Sequence, residues 1–110
     1  MYLNEFDATL QVIQGKWKTV ILYELFDHQV VRFNALKVSI KDISNKTLTN
    51  QLRELESDGL ITRTVHPSIP PHVDYALSEK GKSVIPVLNA ICDWGVAHTD
   101  PELLETILCD

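Results

Sequence analysis

The chain has 110 residues, a formal net charge of −5 and a hydrophobic share of 45%. That is room for one domain and one core, but not for a core plus a deep enclosed active site. The apolar share excludes a disordered chain, and the lack of any run of about 18 apolar residues excludes a membrane-spanning helix.

In chain order, Phe6–Gln14 predicts a short helix with Phe6, Leu10 and Ile13 on one face, broken at Gly15. Lys16–Asp27 predicts a helix apolar over most of its circumference (Trp17, Val20, Ile21, Leu22, Leu25, Phe26), as expected of a central core helix. Trp17 reads as core packing, and its neighbours Lys16 and Lys18 read as solvent-facing or as distant phosphate contacts. Val30–Phe33 is a short strand or extended turn. Asn34 is placed to cap a short helix, Ala35–Ile40, anchored by Leu36.

The next helix, residues 45–57, is the best specified. Ser44 can accept from the orphan amides of its first turn, Ile43 and Leu48 stand at hydrophobic-staple positions, and Gly59 can supply a left-handed end. Leu48, Leu52 and Leu55 form an inner seam. Asn45, Lys46, Thr49, Asn50 and Arg53 form the opposite face. Leu60–Val65 and Val73–Leu77 follow as strands, the second alternating with the period of a half-buried strand. Their connection, His66–His72, is a tip stiffened by Pro67, Pro70 and Pro71.

Ser78 caps a long helix from Glu79 to about His98, interrupted by Pro86. Val84, Val87, Leu88, Ile91 and Gly95 form one stripe, which Ile85, Cys92 and Trp94 widen. Asp100-Pro101 begins a last short helix with Leu103, Leu104, Ile107 and Leu108. So much apolar surface on the terminal helices predicts a homodimer interface that includes Phe6, Leu10, Val84, Leu88, Ile91, Trp94, Leu104 and Leu108.

The architecture this implies is α+β but mostly α: a winged helix-turn-helix with a two-stranded wing and extra terminal helices for dimerisation. One domain spans 1–110, with a winged core at about 16–78 and terminal helices at about 6–14 and 79–109. A leucine-anchored helix with an amide- and base-rich outer face suits the DNA major groove. Arg53 can fork onto a guanine edge and Asn50 onto adenine, whereas Lys46 suits phosphate. Arg63, His66 and His72 are the candidate backbone contacts beside them. The acidic total does not contradict this. Residues 32–66 carry a surplus of two positive charges, and the acidic excess lies in residues 79–110.

Other chemistry finds little support. The four histidines (His28, His66, His72, His98) show no ligand spacing, and no phosphate loop, nucleophile elbow or paired-carboxylate pattern is present. Neither an enzyme nor a cofactor or metal site is expected. Tyr75 reads as packing in the wing strand. Cys92 and Cys109 are far apart with no CxxC spacing, which fits a reducing cytoplasm; Cys92 reads as a small buried hydrophobe and Cys109 as exposed, able to oxidise only across a dimer. Met1–Asp7 has no basic leader, unlike a secretory signal.

Several ordered motifs resemble the HxlR-type bacterial transcription regulators, relatives of the MarR group. They are Gly15-Lys16-Trp17-Lys18, Arg32-Phe33-Asn34, the run from Leu48 to Ile61, and Pro70 to Ser78, so the resemblance covers about Leu10 to Gly95. It implies a homodimeric winged-helix repressor or activator of double-stranded DNA, paired through its terminal helices, with Arg32 by its family position as a phosphate clamp near the short helix. It leaves room for a small-molecule effector that no residue identifies. Many members carry a cysteine about a dozen residues before the Lys-Trp pair, used for thiol sensing; here that position is Asn4, which has no thiolate chemistry. The alternative reading is a winged-helix module that binds protein instead of DNA.

Overall fold

The computed structural model describes residues 1–109. They run as α1 (Glu5–Ile13), α2 (Lys18–His28), β1 (Val30–Arg32), α3 (Phe33–Ser39), α4 (Asn45–Ser57), β2 (Ile61–His66), β3 (His72–Leu77) and α5 (Glu79–His98), ending in a 3₁₀ turn, Pro101–Leu103. Asp110, counted above in the acidic tail, lies outside the described residues. Polar side chains set three helix starts. Asn4 accepts from the Asp7 amide, Ser44 from the Thr47 amide and Ser78 from the Gly81 amide, each satisfying a donor that the helix itself leaves open.

The strands form an antiparallel sheet in the order β1-β3-β2. The wing is the β2–β3 hairpin, in register from Ile61 opposite Leu77 to His66 opposite His72. β1 adds a third strand to the expected two by pairing Val30, Val31 and Arg32 with Ala76, Tyr75 and Asp74. The core sits between the helices and one face of this sheet. Its fully buried centre is Ile21, Leu22 and Leu25 of α2, Leu36 of α3, Ile43, Leu48, Leu52 and Leu55 on and before α4, and Leu60. Tyr75 is buried in the wing strand.

The end of α4 is closed by backbone. Gly59 takes φ +78°, the Leu60 amide donates to the Leu55 carbonyl and the Gly59 amide to that of Glu56. This pair of bonds is the Schellman arrangement, and a glycine reaches it without a Cβ penalty. The start of α5 is fastened to the same place. The Ser78 hydroxyl donates to the Gly59 carbonyl, the Ser78 amide to that of Leu60 and the Lys80 ammonium to that of Asp58. Gly81 packs directly on the Leu60 backbone.

Several expectations need correction. α3 begins at Phe33 with Arg32, not Asn34, at its N-cap position. Phe26 is exposed instead of lying in the core, on the wall of an open cleft beside Val30 and Leu77. Leu88, together with Ile85, is buried against the chain's own core, and Val84 packs partly against it, so neither Leu88 nor Val84 belongs to an outward stripe. The outward apolar residues are Phe6 and Leu10 on α1, Ile91 and Trp94 on α5, and Leu108 in the tail; Leu104 is half-buried.

The expected last helix shrinks to one 3₁₀ turn, in which the Asp100 carboxylate accepts from the Glu102 amide. Beyond it the chain doubles back along α5, and Cys109 reaches Cys92. The two form a disulfide within the chain, Cα–Cα 6.1 Å. This corrects the reading of both as separate free thiols. The turn at Asp100-Pro101 brings together residues 17 apart in sequence.

Lys18 was expected in solvent and is instead 6% exposed, with its ammonium 3.5 Å from Glu54 Oε1 on α4. Gln51 holds the other oxygen of Glu54 at 3.1 Å. The pair ties the core helix to the helix that carries the candidate reading face. Removing one partner of such a pair costs more than the pair itself contributes, because the other charge is stranded. Glu54 is 55% exposed, which lowers the effect. Glu54→Ala is therefore expected to lose about 1–2 kcal/mol in urea unfolding. Lys18→Met should be neutral or stabilising, and the double variant should recover most of the Glu54→Ala loss.

Candidate nucleic-acid interface

α3, a tight turn and α4 make the helix-turn-helix. Asp42 closes the turn at φ +70°, and Ile43 then dives into the core. The leucine seam holds α4 from behind, Leu48 and Leu55 being 0% exposed. Because the seam repeats at about one helical turn, the side chains between its members face away from the body. Asn45, Lys46, Asn50 and Arg53 are exposed there, and Thr49 is half-buried beside them.

The wing adds a second cation to this face. Arg53 from α4 and Arg63 from β2 line one cleft of about 350 Å³ together with Thr49, Glu56 and Tyr75. Among the described residues, no carboxylate lies within 4.0 Å of the charged groups of Lys46, Arg53 or Arg63. Other cations are already engaged: Lys18 with Glu54, Lys82 with Glu79, and Lys80 with the Asp58 carbonyl. Lys16, Lys37 and Lys41 also lack a carboxylate partner among the described residues, and the face where α4 meets the wing holds Lys46, Arg53 and Arg63. A surface of free guanidinium, ammonium and amide groups on a protruding helix can bind phosphates and hydrogen-bond base edges.

The remaining candidates sit differently. His66 and His72 are half-buried and turned toward Asp74. His66 Nε2 lies 2.8 Å from Asp74 Oδ2 and His72 Nε2 3.8 Å from it, with the two rings stacked at 4.5 Å. Arg32 Nε is 3.9 Å from Asp74 Oδ1. Sequence spacing gave no histidine cluster, yet two of the four meet here. The available signal was the hairpin itself: residues equally far from its tip end up opposite each other. The exposed tip, residues 67–71, carries no lysine or arginine. A separate half-open cleft of about 420 Å³ lies between α2, the sheet and the start of α5, walled by Leu25, Phe26, Val30 and Leu77 with Lys82 at its edge.

The fold and this face define a winged helix-turn-helix protein. The family model described as HxlR-like helix-turn-helix matches residues 12–103. An uncharacterised HTH-type transcriptional regulator of Halalkalibacterium halodurans is 48% identical over 93 residues, covering 84% of this chain and 82% of that protein. The regulator YtcD of Bacillus subtilis is 50% identical over 92 residues, covering 84% and 72%. A crystal structure of an HTH-type regulator named YtcD matches with a TM-score of 0.82 at 47% identity, covering 87% of this chain and 97% of that one. The redox regulator HypR in its reduced form matches with a TM-score of 0.83 at 38% identity, covering 88% and 95%. The chain belongs to the HxlR-like helix-turn-helix family and is a transcription regulator of that type. Its relatives are regulators, not enzymes. Asn4, at the position where the resemblance led us to look for a sensing cysteine, is the cap of α1.

Proposed function

We propose that this chain is a cytoplasmic, sequence-specific DNA-binding regulator that acts as a homodimer on an inverted repeat. The winged core places α4 in the major groove, and the terminal helices pair two copies. Half-sites one helical turn apart then require reading helices about 34 Å apart. The observation that carries this reading is the exposed face on which Lys46, Arg53 and Arg63 stand without carboxylate partners among the described residues. Phe6, Leu10, Ile91 and Trp94 support the pairing, since they leave an apolar band outside the chain's own core.

The test is selection of duplexes from a random pool, followed by affinity measurements across a salt series. The selected motif is expected to be two-fold symmetric. Arg53→Ala should weaken the preferred site by about 1–3 kcal/mol and relax preference at one base position. Lys46→Ala should weaken all sequences alike and flatten the salt slope by about one unit. Absence of duplex binding, or binding indifferent to salt, would turn the assignment to a protein-binding winged helix.

A further inference from the structure

We propose that His66, His72 and Asp74 form a binding site for a divalent transition-metal ion of the zinc type at the root of the wing. The hairpin register builds the site. His66 and His72 are the last cross-strand pair of the ladder, and Asp74 lies two residues along β3, on the same face as His72. One donor atom from each residue falls within 4.8 Å of the others. Two imidazole nitrogens and a carboxylate oxygen make a donor set that zinc accepts, with water completing four-coordination. Magnesium and calcium, which take oxygen ligands, do not match it.

The hydrogen bonds around His72 give the stronger argument. The Ser68 hydroxyl donates its hydrogen to the Pro70 carbonyl at 2.9 Å. It can then only accept from His72 Nδ1, which lies 3.2 Å away. The hydrogen-bond network therefore assigns the neutral ring's proton to Nδ1 and leaves Nε2 a bare lone pair. That lone pair faces Asp74 Oδ2 at 3.8 Å. The gap between that lone pair and the carboxylate oxygen is one that a cation fills, whether a proton on Nε2 or a metal ion. A ligand histidine held through its other nitrogen is also the usual outer-shell support of a metal site.

Asp74 is oriented as well. Arg32 draws Oδ1 to its own side and leaves Oδ2 for the rings. The guanidinium would repel an incoming cation, but its side chain is 64% exposed and free to swing into solvent. His66 Nε2 lies 2.8 Å from Asp74 Oδ2, and any proton it carries must leave for solvent as the metal takes its lone pair. The side chains of His66, His72 and Asp74 are 42%, 26% and 19% exposed, sheltered on the strand side and open to water on the other. Tetrahedral bonds of about 2.0–2.1 Å set donors about 3.3 Å apart, so the 2.8 Å His66–Asp74 contact must open and the 3.8 Å His72–Asp74 contact must close, which rotamer adjustment at a hairpin end supplies. The ion would bridge β2 to β3 below the tip.

The experiment is calorimetric titration of zinc chloride into the full chain at about pH 7.5. Thiol reductant is omitted so that Cys92 and Cys109 stay paired and do not compete. One zinc per chain is expected. His66→Gln, His72→Gln and Asp74→Asn should each weaken binding by about 10-fold or more, while His28→Gln and His98→Gln leave it unchanged and magnesium gives no heat. Urea midpoints of the variants confirm that they fold, and Ser68→Ala, which touches no donor atom, should weaken binding by a smaller factor. The proposal is overturned if zinc does not saturate the wild type, if the three variants bind as the wild type does, or if the control histidines matter equally. A cluster that holds only a proton gives the first of these outcomes.

Discussion

Gly81→Ala is expected to lower the melting temperature by about 15 °C or to leave the chain insoluble. A Cβ at this position would run into the Leu60 carbonyl oxygen and stand 3.2 Å from Leu77 Cδ2. The obstacle is backbone at the end of α4, fixed by the Schellman bonds, so it cannot swing aside as a flexible side chain would. Alanine in a helix gains about 1 kcal/mol over glycine. Overpacking against fixed atoms costs about 3 kcal/mol or more, and the clash wins. The net loss of about 2 kcal/mol or more converts, for a domain of this size, to about 8–16 °C or more. Scanning calorimetry checks it. Gly95→Ala is the control, since a Cβ there meets nothing within 4 Å, and it should hold or raise the melting temperature. A Gly81→Ala protein that melts with the wild type would mean that the joint between α4 and α5 has slack.

The second large effect lies under the reading face. Leu48→Ala removes a side chain that is 0% exposed, in a seam backed by α2 and the sheet. Lost transfer energy and the cavity left behind should together cost about 3–4 kcal/mol, read as a shifted urea midpoint at unchanged slope. Leu48→Met, close in volume, should cost less than about 1.5 kcal/mol. Paired with Arg53→Ala, the variant separates two kinds of failure. The leucine change should lose stability first and DNA affinity only through it. The arginine change should do the reverse, because Arg53 is exposed and makes no ion pair among the described residues.

What the sequence showed well was local. Ser44 and Gly59 bracket α4, and Ser78 starts a helix that ends at His98, as read from caps and periodicity alone. Those signals operate within a turn or two of the residues that carry them. The misread parts depend on distant partners. Lys18 looks like surface until α4 brings Glu54 to it from 36 positions away. The apolar stripe of α5 was too broad to divide between an inner and an outer face until the core was known, which is how Leu88 came to be assigned outward. Cys92 and Cys109 could be joined only once the chain was seen to reverse at Asp100-Pro101. In the candidate site, the outer face of α4 was legible because it is the complement of the leucine seam. The His66–His72–Asp74 cluster was not, because it depends on strand register, which periodicity leaves open.

The first helix has nine residues and fully buries only Ile13 of them. A segment that short does not stay wound in water by its own hydrogen bonds. Ile13 and Val12 meet the chain's own core, and surfaces laid over Phe6 and Leu10 would add to that hold. If a second copy supplies them, the N-terminal segment becomes a gauge of abundance: scarce chains carry it frayed, plentiful chains carry it formed, and copy number decides how many assembled readers exist.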